Sequence, residues 1–380
     1  MNAIPIHDKH SRDLLEKIKS LYTKKKLNCL FALLDLFLKT NSRTTFQNLE
    51  EVSPSTASRF FANHTNKMFR EFASTLSEWQ LCSLWLLYSN ANRRGRRAHI
   101  ALKVDLTSIE KTGVKLPFVF LFNKTFGIHI VVLHAHVGNI SFPLAFRIYL
   151  GKGRTTQVKL ALQMLKDFPP EMWPSRTVVL ADAGFGTKEL IRGCKKLGFD
   201  RTIVGIRKDR KLTTGQKVCE VKRGETVRLH DMREIELTVS SARIRRDGEY
   251  KMYYTVSTFK ASGKWLRKRY RMRWLIETFF QSVKHDFGLK ETRLRTEIGI
   301  KMWIYYTFLA YSLAMLERAK EGLKTEIRYK LTMEKAARQI AEILIGEWIL
   351  ATMEKECERL RERIDFRERL SEQGLNGALI

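Results

Sequence analysis

Residues 177–186 read TVVLADAGFG, and this stretch decides the fold. Its unbroken apolar run, Val178 to Ala181, is typical of a short strand that is covered on both faces of a sheet. Asp182 and two glycines follow at once, which predicts that the strand ends in a tight turn. Ligand sites of α/β sheets gather at the carboxyl ends of strands, so Asp182 is a candidate site residue, and the glycines would let a phosphate approach the backbone. A turn or capping aspartate is the alternative interpretation.

A second strand with an acidic residue lies earlier, at His99–Thr107. Apolar side chains alternate there, so that Leu102 and Val104 share one face while Lys103 and Asp105 share the other. This period of two predicts a half-covered strand with Asp105 on its less apolar face. Further strands are predicted at 118–122, 128–137, 144–150 and 202–207, and helices at 155–168 and 188–197. Strands followed by strand–helix alternation predict a mixed sheet with helices on its faces.

The rest of the chain divides into helical and β-rich segments. Apolar residues recur at helical spacing through residues 11–90 and again after residue 268. Short β-like pieces, separated by glycines and charged clusters, fill residues 208–268. The fold class is therefore mixed α/β (α+β). The predicted organisation is a helical N-terminal region at 1–92, a core formed by 98–207 and 269–315, a β-rich basic insertion at 208–268 and a helical C-terminal region at 316–380.

The charge balance favours a polyanionic partner. The chain has 69 Lys and Arg residues against 40 Asp and Glu, which gives a formal net charge of +29. Residues 201–273 alone hold 21 Lys and Arg against 8 Asp and Glu. Nucleic acid is the leading partner class, and Arg243, Arg245 and Arg246 of the insertion are candidate DNA contacts. An anionic membrane surface is the alternative, but the sequence offers no window of about 18 uncharged apolar residues.

The cysteine pattern and the N-terminal residues predict where in the cell the protein is located. The five cysteines are scattered, and no CxxC pattern occurs, so neither a disulfide framework nor a structural zinc site is expected. Residues 1–10 contain no apolar signal-peptide stretch. We therefore predict a cytoplasmic protein that is associated with the nucleoid through its DNA partner.

A candidate DNA-reading helix lies in the N-terminal region, within Thr44–His64. The pair Ser53–Pro54 has the chemistry of a helix cap followed by a first helical residue. A short helix, a tight turn and this capped second helix would form a helix-turn-helix in which Arg59 faces DNA. A plain helical bundle explains the same pattern, and both interpretations stay open.

The segment with the most chemistry is Tyr270–Lys284, YRMRWLIETFFQSVK. On one continuous helix, Tyr270, Arg273, Glu277 and Lys284 fall on a stripe about 60° wide. The apolar residues form a separate stripe, so the helix would pack through one side and present these four polar groups along another. A solvated face with an Arg273–Glu277 ion pair is the alternative.

The spacing Y-x2-R-x3-E-x6-K, preceded by Asp105 and by Asp182 in an AD-x-GF pattern, resembles the DDE transposases of bacterial and archaeal insertion sequences. Within them it is similar to the group with the YREK signature, the insertion-sequence-four type. The resemblance spans 40–320 and implies a ribonuclease-H-like core with a β-rich insertion before the glutamate helix. The chain departs from the family pattern at Ala183, where many relatives carry arginine, and at Leu106, where some carry a second acidic residue.

The resemblance also implies a catalytic centre. Mg²⁺ prefers hard oxygen ligands, and two such ions at one phosphodiester activate the attacking hydroxyl and stabilise the leaving oxygen. The implied ligands of two Mg²⁺ ions, for which Mn²⁺ would substitute, are Asp105, Asp182 and Glu277. The implied DNA contacts of the signature are Tyr270, Arg273 and Lys284. Trp265 is a further candidate for stacking on DNA, with core packing of the insertion as its alternative.

The implied function is transposition, with metal-dependent DNA cleavage at the element ends and transfer of strands into target DNA. The partners would be double-stranded DNA, both terminal inverted repeats and target, and a second copy of the chain in a homodimeric synaptic complex. No membrane partner is expected. A structure-selective nuclease or resolvase of the same fold, or a non-catalytic DNA-binding protein derived from a transposase, are the alternatives. The first does not explain the tyrosine–arginine–lysine set, and the second does not explain three retained carboxylates.

Overall fold

The computed structural model describes residues 5–39, 46–49, 52–93, 98–112, 116–246, 249–324 and 332–372. Its helices are α1 (Pro5–Ser20), α2 (Lys24–Leu38), α3 (Pro54–Ala62), α4 (Asn66–Arg93), α5 (Gln157–Asp167), α6 (Lys188–Lys196), α7 (Gly263–Arg271), α8 (Trp274–His285), α9 (Glu297–Lys324) and α10 (Met333–Glu372). Its strands are β1 (Ile100–Glu110), β2 (Val119–Phe122), β3 (Thr125–Val137), β4 (Ile140–Tyr149), β5 (Val178–Ala181), β6 (Thr202–Ile206), β7 (Thr226–Leu229), β8 (Met232–Arg246) and β9 (Glu249–Ser257).

The strands form one mixed sheet in the order β2-β3-β1-β5-β6-β9-β8-β7, with β4 also paired to β3. At its centre β1, β5 and β6 run parallel, and the strands on either side pair antiparallel to their neighbours. All four residues of β5 are buried, as the unbroken apolar run predicts for a central strand. The predicted mixed α/β fold class, with helical regions at both ends, is confirmed.

The two faces of the sheet are covered by different helices. Leu102 and Val104 of β1 belong to the main core, which also contains the buried residues of α5 and α6. Their neighbour Ala101 faces the other way and packs with Leu180 of β5 and Leu266 of α7. The alternation along β1 therefore separates the two faces, and α7 lies on the same face as Asp105.

The segment between β6 and α7 extends the central sheet. β9 pairs antiparallel with β6 through Ile203–Ile206 and on its other edge with β8. The hairpin of β8 and β9 is thus continuous with the parallel strands. As a result, β8 and β9 reach the same side of the sheet as the carboxyl ends of β5 and β1.

The helix α9 is the centre of the helical part. Fifteen consecutive residues, Met302–Leu316, are buried, so this helix is covered on every side. Aromatic rings from the N-terminal helices surround it, among them Phe37, Phe61 and Phe72, which contact Trp303 or Tyr306. The N-terminal helices therefore share one core with α9.

The region of the predicted helix-turn-helix is only partly described. The helix α3 begins as expected, because the Ser53 hydroxyl accepts a hydrogen bond from the Thr56 amide at 3.3 Å. The element before it, Phe46–Asn48, is a single turn of 3-10 helix, and part of the predicted first helix lies outside the described residues. Among the described helices, none is long and apolar enough to cross a membrane.

Candidate active site

Two of the predicted carboxylates are brought together by the register of the sheet. β1 and β5 are parallel neighbours, and Val104 of β1 is paired with Ala181 of β5. Asp105 and Asp182 are the next residue on each chain segment, so they lie side by side at the carboxyl end of this strand pair. This is the edge at which α/β sheets place ligands.

The third carboxylate comes from the helix that follows the insertion. α8 packs against β1, and Glu277 lies in its first turn. Glu277 lines the same cleft as Asp105 and Asp182, a cavity of 490 Å³. The remaining wall is formed by the loop after β5, by β8 and β9, and by α7, α8 and their junction: Ala183, Ser240, Ser241, Ala242, Tyr253, Thr255, Arg267, Tyr270, Arg271, Arg273 and Trp274.

One guanidinium joins two of the carboxylates. Arg273 donates from Nη1 to Asp105 Oδ2 at 3.2 Å and from Nη2 to Glu277 Oε1 at 2.6 Å. The side chains of Arg273 and Asp105 are 11% and 13% exposed, whereas that of Glu277 is 49% exposed. The interpretation of Arg273 and Glu277 as a solvated surface pair is therefore wrong for Arg273, which lies deep in the cleft.

The pKa of Asp105 is strongly shifted by its surroundings. Burial, and then the negative charge of Asp182, raise its pKa from the ordinary value to about 7, although Arg273 acts in the opposite direction and Glu277 contributes a further increase. The carboxylates therefore repel one another, and one arginine does not fully compensate them.

Carboxylate oxygens are the donors that a hard divalent cation prefers, so their chemistry fits Mg²⁺. In the part of the chain that the structure describes, however, no three acidic, His or Cys side chains stand close enough together to hold a metal ion. The guanidinium of Arg273 is bound between Asp105 and Glu277 in this arrangement. The carboxylate oxygens are thus suitable ligands for Mg²⁺. Glu277 and Arg273 would have to change their contacts before the three carboxylates could bind an ion together.

The loop after β5 is fixed by its own hydrogen bonds and by close packing. The Phe185 amide donates to Asp182 Oδ1 at 3.1 Å, which orients that carboxylate. A Cβ at Gly186 would overlap the carbonyl oxygen of Gly205 in β6. A Cβ at Gly205 would lie 2.6 Å from the Tyr270 hydroxyl. The expectation that the glycines open the backbone to a phosphate is thus wrong for Gly186, which is buried against β6.

Tyr270 lies in the wall of the cleft. Burial raises its pKa to about 12, so the phenol keeps its proton at neutral pH and is able to donate a hydrogen bond. Its ring centroid is 5.7 Å from the guanidinium carbon of Arg273. Tyr270, Arg273 and Glu277 of the predicted stripe are therefore brought together.

The stripe is not carried by one continuous helix, and this prediction is wrong. α7 ends at Arg271 and α8 begins at Trp274, with a junction of i→i+3 hydrogen bonds such as Arg273 N to Tyr270 O at 2.9 Å. The tightened turn changes the projection of the residues that follow it. Lys284, near the end of α8, lies outside the cleft, where burial and the charge of Lys290 lower its pKa.

The other predicted DNA contacts whose side chains the structure describes lie outside the cleft. Arg59 is exposed on α3, and its Nε donates to the Ser55 carbonyl at 3.4 Å. Arg243 is exposed on β8, with its guanidinium carbon 4.3 Å from the centroid of the Tyr250 ring. The backbones of Arg245 and Arg246 complete β8. Trp265 does not line the cleft and belongs to a different pocket, on another side of α7.

Sequence reasoning missed three basic residues at this site. Arg267 and Arg271 are exposed on α7 and line the cleft, and the basic run around the Y-x2-R pattern was the available signal. Lys103 is fully buried on the same face of β1 as Asp105, and its Nζ has no hydrogen-bond partner among the described residues. The signal for Lys103 is its place two residues before Asp105 on a strand of alternating pattern, which puts both side chains on the same face.

The chain belongs to a family of DNA transposases. The family model described as "Transposase DDE domain" matches residues 120–313, which is half of the chain. Asp182 and Glu277 lie inside the matched range, and Asp105 lies before it. The predicted relation to DDE transposases is thereby confirmed.

A solved structure shows the same fold. It is the cryo-electron microscopy structure of the piggyBac transposase synaptic complex with hairpin DNA, with a TM-score of 0.55 and 14% sequence identity. The likeness covers 88% of this chain and 73% of that one. The predicted ribonuclease-H-like fold is confirmed by this likeness. No curated protein sequence matches the chain.

Proposed function

We propose that this protein is a DDE transposase of the insertion-sequence-four type, which cleaves DNA at the ends of its element and joins the strands to target DNA. The observation that carries the proposal is the register of β1 and β5, which sets Asp105 beside Asp182. Glu277 shares Arg273 with Asp105 in the same cleft. Three carboxylates in a cleft with basic walls fit a reaction at a phosphodiester better than a role in stability.

The catalytic group would be the three carboxylates acting with divalent cations. Asp105, Asp182 and Glu277 would hold two Mg²⁺ ions, with Mn²⁺ as a substitute, and the ions would supply activation of a water or 3′-hydroxyl and stabilisation of the leaving oxygen. In the unloaded protein Arg273 compensates Asp105 and Glu277. When it is released from one carboxylate, its planar fork is suited to a phosphate of the bound DNA.

The other signature residues would bind DNA. Tyr270 keeps its proton at neutral pH and would donate to a phosphate oxygen beside the cleaved bond. Arg267 and Arg271 face the cleft opening and would contact the backbone on either side. Lys284 would contact DNA that continues along α8 beyond the cleft, as a point charge.

The regions predicted from the sequence have proposed roles in this reaction. Residues 1–92, with Arg59, would bind DNA, and residues 98–207 with 269–315 would form the catalytic core. The insertion 208–268 would contribute DNA contacts, namely Arg243, Arg245 and Arg246, and residues 316–380 would complete the helical part. The substrate would be the terminal inverted repeats of the element and the target DNA, held in a synaptic complex by a homodimer in the cytoplasm at the nucleoid.

The test is strand cleavage of DNA that carries the sequences flanking the gene, in the presence of Mg²⁺. Wild type is compared with Glu277→Gln, which keeps the shape and removes the charge. Glu189→Gln is the matched control, because Glu189 is exposed on α6 outside the cleft. The expected result is cleavage at the element boundary by wild type and by Glu189→Gln, and none by Glu277→Gln.

The alternatives predict different results of the same experiment. Cleavage of branched DNA irrespective of the flanking sequence identifies a nuclease or resolvase. Binding of intact inverted repeats without cleavage identifies a non-catalytic DNA-binding protein. Equal cleavage by wild type and Glu277→Gln contradicts the assignment of the site.

A further inference from the structure

A second basic pocket lies at the opposite edge of the sheet from the carboxylates. His99, Arg176 and Arg201 come shortly before β1, β5 and β6, so they gather at the amino ends of the three parallel strands. Together with Trp265 and Arg269 of α7 they line a cavity of 590 Å³, here called the arginine pocket. Asp182 follows the other end of β5, and Asp105 lies beside it on β1.

Aromatic rings hold the cations of the arginine pocket. The guanidinium carbon of Arg201 is 4.2 Å from the centroid of Phe259 and 5.9 Å from that of Trp265. The guanidinium carbon of Arg269 is 5.1 Å from the centroid of Trp265. A guanidinium group held over a ring is oriented before a ligand binds, and its N–H groups stay available to that ligand. The Trp265 ring contacts both arginines and also packs edge-on against Phe259. It therefore supports the arginines of the pocket.

The charges of the pocket have no anionic partner within the described ranges. Arg176, Arg201 and Arg269 form no ion pair there, and the buried Nε of Arg201 has no hydrogen-bond partner. Burial and the charge of Arg176 lower the pKa of Arg201. Burial, and then the charge of Arg269, lower the pKa of His99 to about 4. The cations destabilise one another, and an anion bound among them would relieve that cost.

The helix α7 connects the arginine pocket to the catalytic cleft. Its N-cap residue Ser262 and the side chains of Trp265 and Arg269 border the pocket, whereas Arg267, Tyr270 and Arg271 border the cleft, so the two sites lie on different sides of the same helix. Five of its nine residues are Lys or Arg, and none is acidic. The helix α7 therefore presents a basic surface, with no acidic side chain of its own, between the arginine pocket and the cleft.

We infer that the arginine pocket binds a backbone phosphate of the same DNA that occupies the cleft. This inference rests on the proposed function. The separation is about 20 Å along β1 from His99 to Asp105, which at 3.4 Å per nucleotide places this phosphate about six nucleotides from the cleaved bond. Arg176 and Arg269 would bind the phosphate oxygens, with Arg201 held behind them by its two rings.

The experiment measures the salt dependence of binding to a fluorescently labelled DNA duplex by anisotropy, with KCl as the varied salt. Arg176→Gln is the test variant, because Arg176 is exposed and makes no described hydrogen bond that folding needs. Arg361→Gln is the matched control, because Arg361 is exposed on α10 and lies outside both pockets. Arg176→Lys keeps the charge and tests whether the fork is required.

The expected result is a slope of log affinity against log salt that is smaller by about 1 for Arg176→Gln and unchanged for Arg361→Gln. Affinity at moderate salt should fall about five- to tenfold, and Arg176→Lys should recover most of the slope. Arg269→Gln should act like Arg176→Gln, and the pair together should lower the slope further. The thermal midpoints of Arg176→Gln and wild type should agree.

Other results overturn the inference in distinguishable ways. If wild type binds no DNA, the proposed function fails and the inference fails with it. If wild type binds DNA and Arg176→Gln keeps the full slope, only the inference fails. If inorganic phosphate, titrated calorimetrically, binds wild type and not Arg176→Gln while the DNA slopes agree, the pocket takes free phosphate. If Arg176→Gln weakens binding of an RNA duplex alone, the ligand is not DNA.

Discussion

Replacing Arg273 with glutamine should destabilise the metal-free protein at pH 8. The change removes a cation that contacts Asp105 and Glu277 at once. Loss of one partner of a buried ion pair costs about 3–5 kcal/mol, and loss of an exposed one costs at most about 1 kcal/mol. The Asp105 pair is nearly buried and the Glu277 pair is half exposed, so the free energy of unfolding should fall by about 2–4 kcal/mol.

The deficit should depend on pH with a definite sign. The pKa of Asp105 is about 7 in the folded protein, above its ordinary value of 3.8, so the folded state binds more protons between these two values. The contribution of Asp105 to stability therefore falls as pH rises through this window. At pH 5 Asp105 is protonated in the folded state and needs no cation, so the deficit of Arg273→Gln should shrink to about 1 kcal/mol or less.

The assay is urea unfolding followed by tryptophan fluorescence at pH 8 and pH 5, in buffer with a chelator. Arg192→Gln is the control, because it breaks the exposed ion pair between Arg192 of α6 and Glu234 of β8, which lies outside the cleft. That variant should lose less than about 1 kcal/mol at both pH values. Equal stability of Arg273→Gln and wild type at pH 8, or an equal deficit at both pH values, would refute the reasoning.

Three further predictions concern Gly205, Lys103 and His64. Gly205→Ala would place a Cβ 2.6 Å from both the Ala183 amide nitrogen and the Tyr270 hydroxyl. It should therefore abolish DNA cleavage, as measured by a cleavage assay, and lower the free energy of unfolding by about 1–3 kcal/mol, as measured by urea titration. Lys103→Met should leave the thermal midpoint unchanged or raise it, because the buried Nζ has no described partner; a fall in the midpoint would show that this amine is compensated. Burial lowers the pKa of His64 to about 4, so wild type should lose up to about 3 kcal/mol as pH falls from 6.5 to 4, and His64→Asn should lose this slope in acid titrations of stability.

The sheet and its two aspartates were predictable from short-range patterns. The period of two along β1 placed Asp105 on a less apolar face, and the unbroken run of β5 ended at Asp182. Both patterns follow from how a strand presents its side chains, so they need no knowledge of distant residues. That the two strands are parallel neighbours in the register Val104–Ala181 became visible only in the structure.

Features set by tertiary packing were not predictable. The junction between α7 and α8 contains no proline or glycine, so the sequence RMRW gave no signal for the turn at Met272 and Arg273. The residue type of Trp265 leaves DNA stacking and core packing both open. Whether its ring faces the cleft or the opposite edge of the sheet depends on how α7 lies across β1 and β5. The contact of Tyr22 with Tyr306 at 3.2 Å joins residues far apart in sequence, which no local period encodes.

The burial of α9 on every side sets an order of events during synthesis. The N-terminal helices, which end at Arg93, leave the ribosome well before Met302–Leu316 is made. At 5–20 residues per second the interval is roughly 10–40 s. During this interval the rings of Phe37, Phe61 and Phe72 are not yet covered by α9. The helical N-terminal region therefore completes its packing only near the end of translation, and a nascent chain that stalls before α9 presents these rings to chaperones and proteases.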